Sequence, residues 1–178
     1  MKRLVLIAGI MAVVFATVAA ASAQTKANFA GTRALDKTKS QGLDQRMADV
    51  DVTWTVTQDD AKISIESKVS GGQAPAGGNG GGGRGMGGPR SYTLDGKEVT
   101  ADAGGQMGGT NTTKATWSTD SKTLELSSVR AGSFNGNDFK ATTVDKMSLS
   151  GDGKTLTVVR HSESPRGTSD STMVFNKQ

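Results

Sequence analysis

The side chains in this sequence that can do chemistry are few and scattered. His161 is the only histidine, and there is no cysteine. A lone histidine cannot build a multi-histidine metal site, and as a general base it needs a nucleophile and an orienting acid from elsewhere. Ser162, Glu163 and Ser164 follow it directly, but adjacency in sequence is not a triad. The expected role of His161 is that of a solvated strand-end residue, on the face of Thr155, Thr157 and Val159. Without cysteine, thiolate zinc sites, iron–sulfur clusters and thiol nucleophiles are excluded. Asp49 with Asp51, and Asp59 with Asp60, are acidic pairs but lack the spaced oxygen ligands of a calcium loop. Ser150-Gly-Asp-Gly-Lys154 fails the same pattern and reads as a hairpin turn. No catalytic residue, metal ligand or cofactor-binding residue is assigned, and the chain is not expected to be an enzyme.

Three residues remain as candidates for binding. Arg160 falls, by alternation, on the face of Leu156 and Val158. Inside a barrel, an inward arginine near the rim can hold an anionic head group. The plainer expectation is a guanidinium that reaches solvent over an apolar stem. Trp54 and Trp117 also lie on faces that read as buried. Core packing is their default, and the wall of a ligand cavity is the alternative.

The elements that position these residues read as strands. Val50, Val52, Trp54 and Val56 share one face, with Asp51, Thr53, Thr55 and Thr57 on the other. That alternation is a half-buried strand. After the turn Gln58-Asp59-Asp60, Ile63, Ile65 and Val69 alternate with Lys62, Ser64, Glu66 and Lys68, which predicts a hairpin. Asp95-Gly96 predicts a second hairpin, because both residues tolerate positive φ. Further strands are expected over 112–117, around Leu124 and Leu126, over 139–149 and 156–160, and around Met173 and Phe175. The sum is about nine or ten short strands.

Residues 117–126, WSTDSKTLEL, resemble residues 149–158, LSGDGKTLTV, at a spacing of 32. This reads as two similar hairpins. A propeller needs at least four blades of four strands, more than the chain supplies. The stretch GGQAPAGGNGGGGRGMGG, within a glycine-rich insertion over 71–90, has almost nothing to bury. It is expected to be a disordered or mobile loop. Its GxGxxG-like spacings come from composition, with no strand–helix unit around them, so dinucleotide binding is rejected. The shorter glycine stretch over 103–111 is expected at the same end of the sheet.

Residues 1–23 read as an export signal. Lys2 and Arg3 precede the apolar run 4–20, and Ala21-Ser22-Ala23 is a small-x-small cleavage site between Ala23 and Gln24. Residues 24–178 are then one all-β domain, periplasmic or extracellular, with no stable membrane insertion after cleavage. Removing Lys2 and Arg3 from the 21 basic residues leaves 19 against 17 acidic ones. That balance lacks the dense basic face of a nucleic-acid binder.

Several segments resemble a group of small exported bacterial proteins with a lipocalin-like (calycin-type) β-barrel. These are the opening GTRALDKTKS (31–40), YTLDGKE (92–98) and the closing hairpin and strand, 149–158 and 168–177. Arg33 departs from the aromatic residue usual in such openings. The resemblance implies architecture and assigns no functional residues. The expected fold is a single antiparallel β-barrel or strongly curved sheet of about 8–10 strands. The expected function is non-catalytic binding of a small, largely apolar ligand, since small barrels can hold one. The alternative is a filled barrel whose glycine-rich loop contacts a partner in the cell envelope.

Overall fold

Alternation of β-branched and polar residues dominates the chain, and the computed structural model shows what it builds. Residues 25–71, 89–103, 108–134 and 136–178 are described. The expected export signal, and residues 72–88 of the glycine-rich insertion, lie outside them.

Ten strands follow one another: β1 (Gly31–Leu35), β2 (Asp51–Gln58), β3 (Lys62–Ser70), β4 (Arg90–Thr93), β5 (Val99–Asp102), β6 (Thr110–Trp117), β7 (Thr123–Phe134), β8 (Asn137–Leu149), β9 (Thr155–Ser164) and β10 (Gly167–Lys177). One helical turn, α1 (Gln45–Ala48), interrupts them between β1 and β2. All ten form one antiparallel sheet in the order β4-β3-β2-β1-β10-β9-β8-β7-β6-β5. The first strand pairs with the last, Leu35 opposite Phe175. β4 packs against β6, so the sheet curls into a nearly closed barrel. The all-β class and the strand count agree with the sequence.

One expected hairpin does not form. β4 and β5 flank Asp95-Gly96 but stand at opposite ends of the strand order. The turn itself exists: Gly96 has φ +77°, and the Asp95 carboxylate accepts the Lys97 amide at 3.1 Å. Beyond it the strands splay. β4 bonds to β3 along one edge, and its other edge faces β6. A turn sequence reverses the chain without dictating which edge pairs. β5 is consequently short and exposed throughout.

The two similar hairpins are the β6–β7 and β8–β9 turns, and their bonds correspond one for one. Ser118 donates to Asp120 and Ser150 to Asp152, both at 2.6 Å. Asp120 and Asp152 accept the amides of Lys122 (3.1 Å) and Lys154 (3.0 Å). The Ser118 and Ser150 hydroxyls accept the amides of Thr123 and Thr155, both at 2.9 Å. Those bonds hold the Asp120 and Asp152 carboxyls below their usual range.

The LDKTKS segment seals β1 to β10. Asp36 accepts from the Thr38 hydroxyl (2.6 Å), the Asn176 amide (3.0 Å) and Lys39, and these bonds hold its carboxyl far below the ordinary range. The Ser40 hydroxyl donates to the Asp36 carbonyl and accepts the Val174 amide.

Strand direction defines two ends. The turns at 59–61, 118–122 and 150–154 gather at one, the floor. The connections after β3 and β5 lie at the other, the mouth, so both glycine stretches attach at the same end, as expected. The chain leading into β1 closes the floor. Phe29 is fully buried and stacks on Trp117 at 6.0 Å. The Gln58 amide clips this segment, accepting from the Phe29 amide (2.9 Å) and donating to the Ala27 carbonyl (3.0 Å). Arg33, where the resemblance implies an aromatic residue, is also buried here. It donates to the carbonyls of Gly153 (3.2 Å) and Lys154 (3.4 Å).

Candidate functional site

Side chains alternate across a strand, so register sorts the interior into rows. Leu124, Met147, Val158 and Met173 pair in sequence across β7 to β10, and all four are 0 % exposed. Ile63, Ile65, Leu156 and Phe175 are also 0 % exposed. A water-sized void beside any of them would register as exposure. The floor half of the barrel is therefore filled.

One row nearer the mouth the chemistry changes. The paired residues are Ala115, Leu126, Asp145, Arg160 and Ser171. Asp145 is 2 % exposed, and Arg160 grips it with two bonds, Nε–Oδ1 at 2.6 Å and Nη2–Oδ2 at 2.7 Å. Such a two-point pair is strong and fixed in orientation. Arg90, from β4, adds a looser contact to Oδ2 at 3.3 Å and lies over the Trp54 ring, 5.1 Å from its centroid. Trp54 in turn stacks on Phe175 at 4.5 Å. Burial opposes the Arg160 charge, but the bonds from Asp145 outweigh it and raise its pKa. Burial also pushes the neighbouring Tyr92 phenol up.

In the next row the inward residues of β6 to β10 are small and polar: Thr113, Ser128, Thr143, Ser162 and Ser169. Ser128 donates to the Asn111 side chain at 3.0 Å, and Thr143 and Ser162 share a 3.4 Å bond. Arg130 follows Ser128 on the same face. Its Nε is buried without a partner, and no hydrogen bond or ion pair of its guanidinium is found among the described residues. The opposite wall is apolar. It comprises Val52 and Met47, both buried, the half-buried Val50 and Leu43, and the inward-registered Val69, which is 41 % exposed.

Charge is unbalanced inside. Among the described strands the inward positions carry Arg33, Arg90, Arg130 and Arg160 against one carboxylate, Asp145, while Lys177 ends β10 exposed at the floor.

Of the residues singled out in the sequence, Trp54 and Arg160 meet, through Arg90 and Asp145. Trp117 does not join them. It lies at the floor against Phe29, with Lys26 over its ring and its Nε1 buried without a partner. His161 faces outward, as expected. Its Nδ1 is 2.7 Å from Asp170 and its Nε2 is 3.3 Å from Glu163; these bonds raise its pKa. Among the described residues no three His, Asp or Glu side chains are placed to hold a metal ion. Sequence reading missed Asp145, Arg90 and Arg130. The signal for Asp145 was present: it shares the phase of Met147 and Leu149, a carboxylate on an apolar face.

Fold and interior together define an antiparallel β-barrel with a packed floor and a polar, arginine-bearing mouth. No protein-family model and no curated protein matches the chain. A solved structure, zebrafish ileal bile acid-binding protein complexed with cholic acid, is similar over 84 % of this chain and 98 % of its own, with 12 % identity and a TM-score of 0.48. A likeness of that size carries no ligand from one chain to the other.

Proposed function

We propose that this is an exported, non-catalytic binding protein that takes a small ligand with a largely apolar body into the mouth half of its barrel. The observation that carries this reading is the contrast between rows. Floor residues are 0 % exposed and leave no room, whereas the inward-registered Val69 is 41 % exposed. An interior wall open to solvent is a surface for a guest, and small barrels can admit one. The amino-terminal signal pattern supports export. His161 faces outward, bound to Asp170 and Glu163, and so does not serve the interior.

Native mass spectrometry of the mature protein, purified from the organism that exports it, tests this reading. The expected result is a folded monomer with extra, releasable mass. A bare mass that does not shift against a lipid panel overturns it, and leaves a filled barrel that acts through its surface.

A further inference from the structure

The interior arginines differ in how they are satisfied. Arg160 spends two donors on Asp145, and Arg90 shares the same carboxylate. Asp145 is the only inward carboxylate among the described strands, so it neutralises one guanidinium of that pair. Arg130 has no such partner, and its Nε is buried. Arg130 as a whole is half-buried near the mouth, where a guanidinium fork can grip an anionic head group through two donors. A second donor is at hand: Asn111 is the register partner of Arg130 across β6 and β7, and with its Oδ1 accepting the Ser128 hydroxyl its amide N–H group has no hydrogen bond among the described residues. In the strand order β7 lies five strands from β2, so the two stand on different sides of the barrel, Arg130 on one and the apolar Val50 and Val52 on the other.

We infer that the ligand is an amphipathic anion, its oxyanion head held by Arg130 near the mouth and its apolar body laid against the half-buried Val50 and the exposed Val69. This rests on the binding reading above and names the ligand's chemical class. It also reassigns the head-group residue. Arg160, the arginine that stood out in the sequence, is already occupied by Asp145.

The test compares three probes of equal chain length, dodecanoate, dodecan-1-ol and dodecyltrimethylammonium, by calorimetric titration, with dodecyl phosphate as a fourth to distinguish carboxylate from phosphate heads. The expected result is that an anionic probe binds at least ~10-fold more tightly than dodecan-1-ol, the ammonium probe more weakly than both. Arg130→Gln should abolish the anion preference while dodecan-1-ol binding stays; Arg130→Lys should keep most of it. Equal binding of anion and alcohol by the unmodified protein overturns the inference and leaves the binding reading standing. Failure of all four probes counts against that reading, and against this inference with it. A preference that survives Arg130→Gln overturns the assignment to Arg130. Should Arg130→Gln not fold, a salt titration of the unmodified protein decides: the anion preference should shrink as sodium chloride rises, and an unchanged preference refutes an exposed-mouth ion contact.

Discussion

The floor and the mouth of this barrel are built from the same strands and behave as different materials. From floor to mouth, β9 presents Leu156, Val158, Arg160 and Ser162 to the interior, and β7 presents Leu124, Leu126, Ser128 and Arg130. β10 presents Phe175, Met173, Ser171 and Ser169. Backbone pairing is continuous through the change, so the ladder does not distinguish the halves. The side chains do. Apolar burial in the floor supplies stability, at roughly 25 cal/mol per Å² removed from water. The mouth gives up that contribution for hydroxyls and guanidinia. The Asp145–Arg160 pair marks the boundary, where a charge can still be buried because its partner is fixed opposite.

Damage to the floor should have the largest effect. Leu124→Ala should cost ~3–5 kcal/mol, because neighbours in a filled interior relax poorly around a cavity. Urea unfolding measures it, and a loss under about 1 kcal/mol would mean that the floor is looser than its zero exposure indicates. Asp145→Ala comes next. It strips the carboxylate from Arg160 and Arg90, and an unpaired buried charge costs ~3–5 kcal/mol. Here the arginine side chains are 20 % and 32 % exposed and can turn to water, so about 2 kcal/mol is expected. The double variant Asp145→Leu with Arg160→Met should recover most of that loss in the same assay. Smaller again, Thr143→Ala and Ser162→Ala should each change stability by no more than ~0.5 kcal/mol, since partly solvated hydroxyls one row above contribute little. A cost near that of Leu124→Ala would erase the distinction between halves.

The smallest effect lies on the outer wall of the mouth half. Asp170 and Glu163 raise the His161 pKa. A raised folded-state value means stabilisation that is fully present below the unfolded pKa of about 6.5 and lost as pH rises through the folded value. Thermal melts should therefore show a slightly higher Tm at pH 6 than at pH 8, by an amount that Asp170→Asn reduces.

Much of this was legible because alternation fixes facing. The phase of Val52, Trp54 and Val56 gives β2, and the Thr-Leu starts after Asp120 and Asp152 give two hairpins with matching bonds. The same logic placed Arg160 inward. What alternation lacks is depth and partner. Trp54 and Trp117 look alike in the sequence, yet register sends one to the arginine cluster and the other to the floor plug. Asp145 is separated from Arg160 by a turn and half of each strand, so only the β8–β9 register unites them. Asp95-Gly96 was misleading for the related reason that local turn chemistry does not choose a pairing edge. Arg33, where the resemblance implies an aromatic residue, ties β1 to the carbonyls of the 150–154 turn through Nη1 and leaves its Nε buried without a partner.

On the proposed function, guests enter the mouth half and leave the floor untouched. Amide chemical-shift mapping by NMR, with dodecanoate added to the mature protein, tests it most directly. The expected shifts are concentrated at Val50, Val69, Ser128, Arg130, Thr143 and Ser162, with Leu124, Met147, Leu156 and Phe175 unmoved. Shifts centred on those four floor residues, or none anywhere at saturating probe, would contradict it.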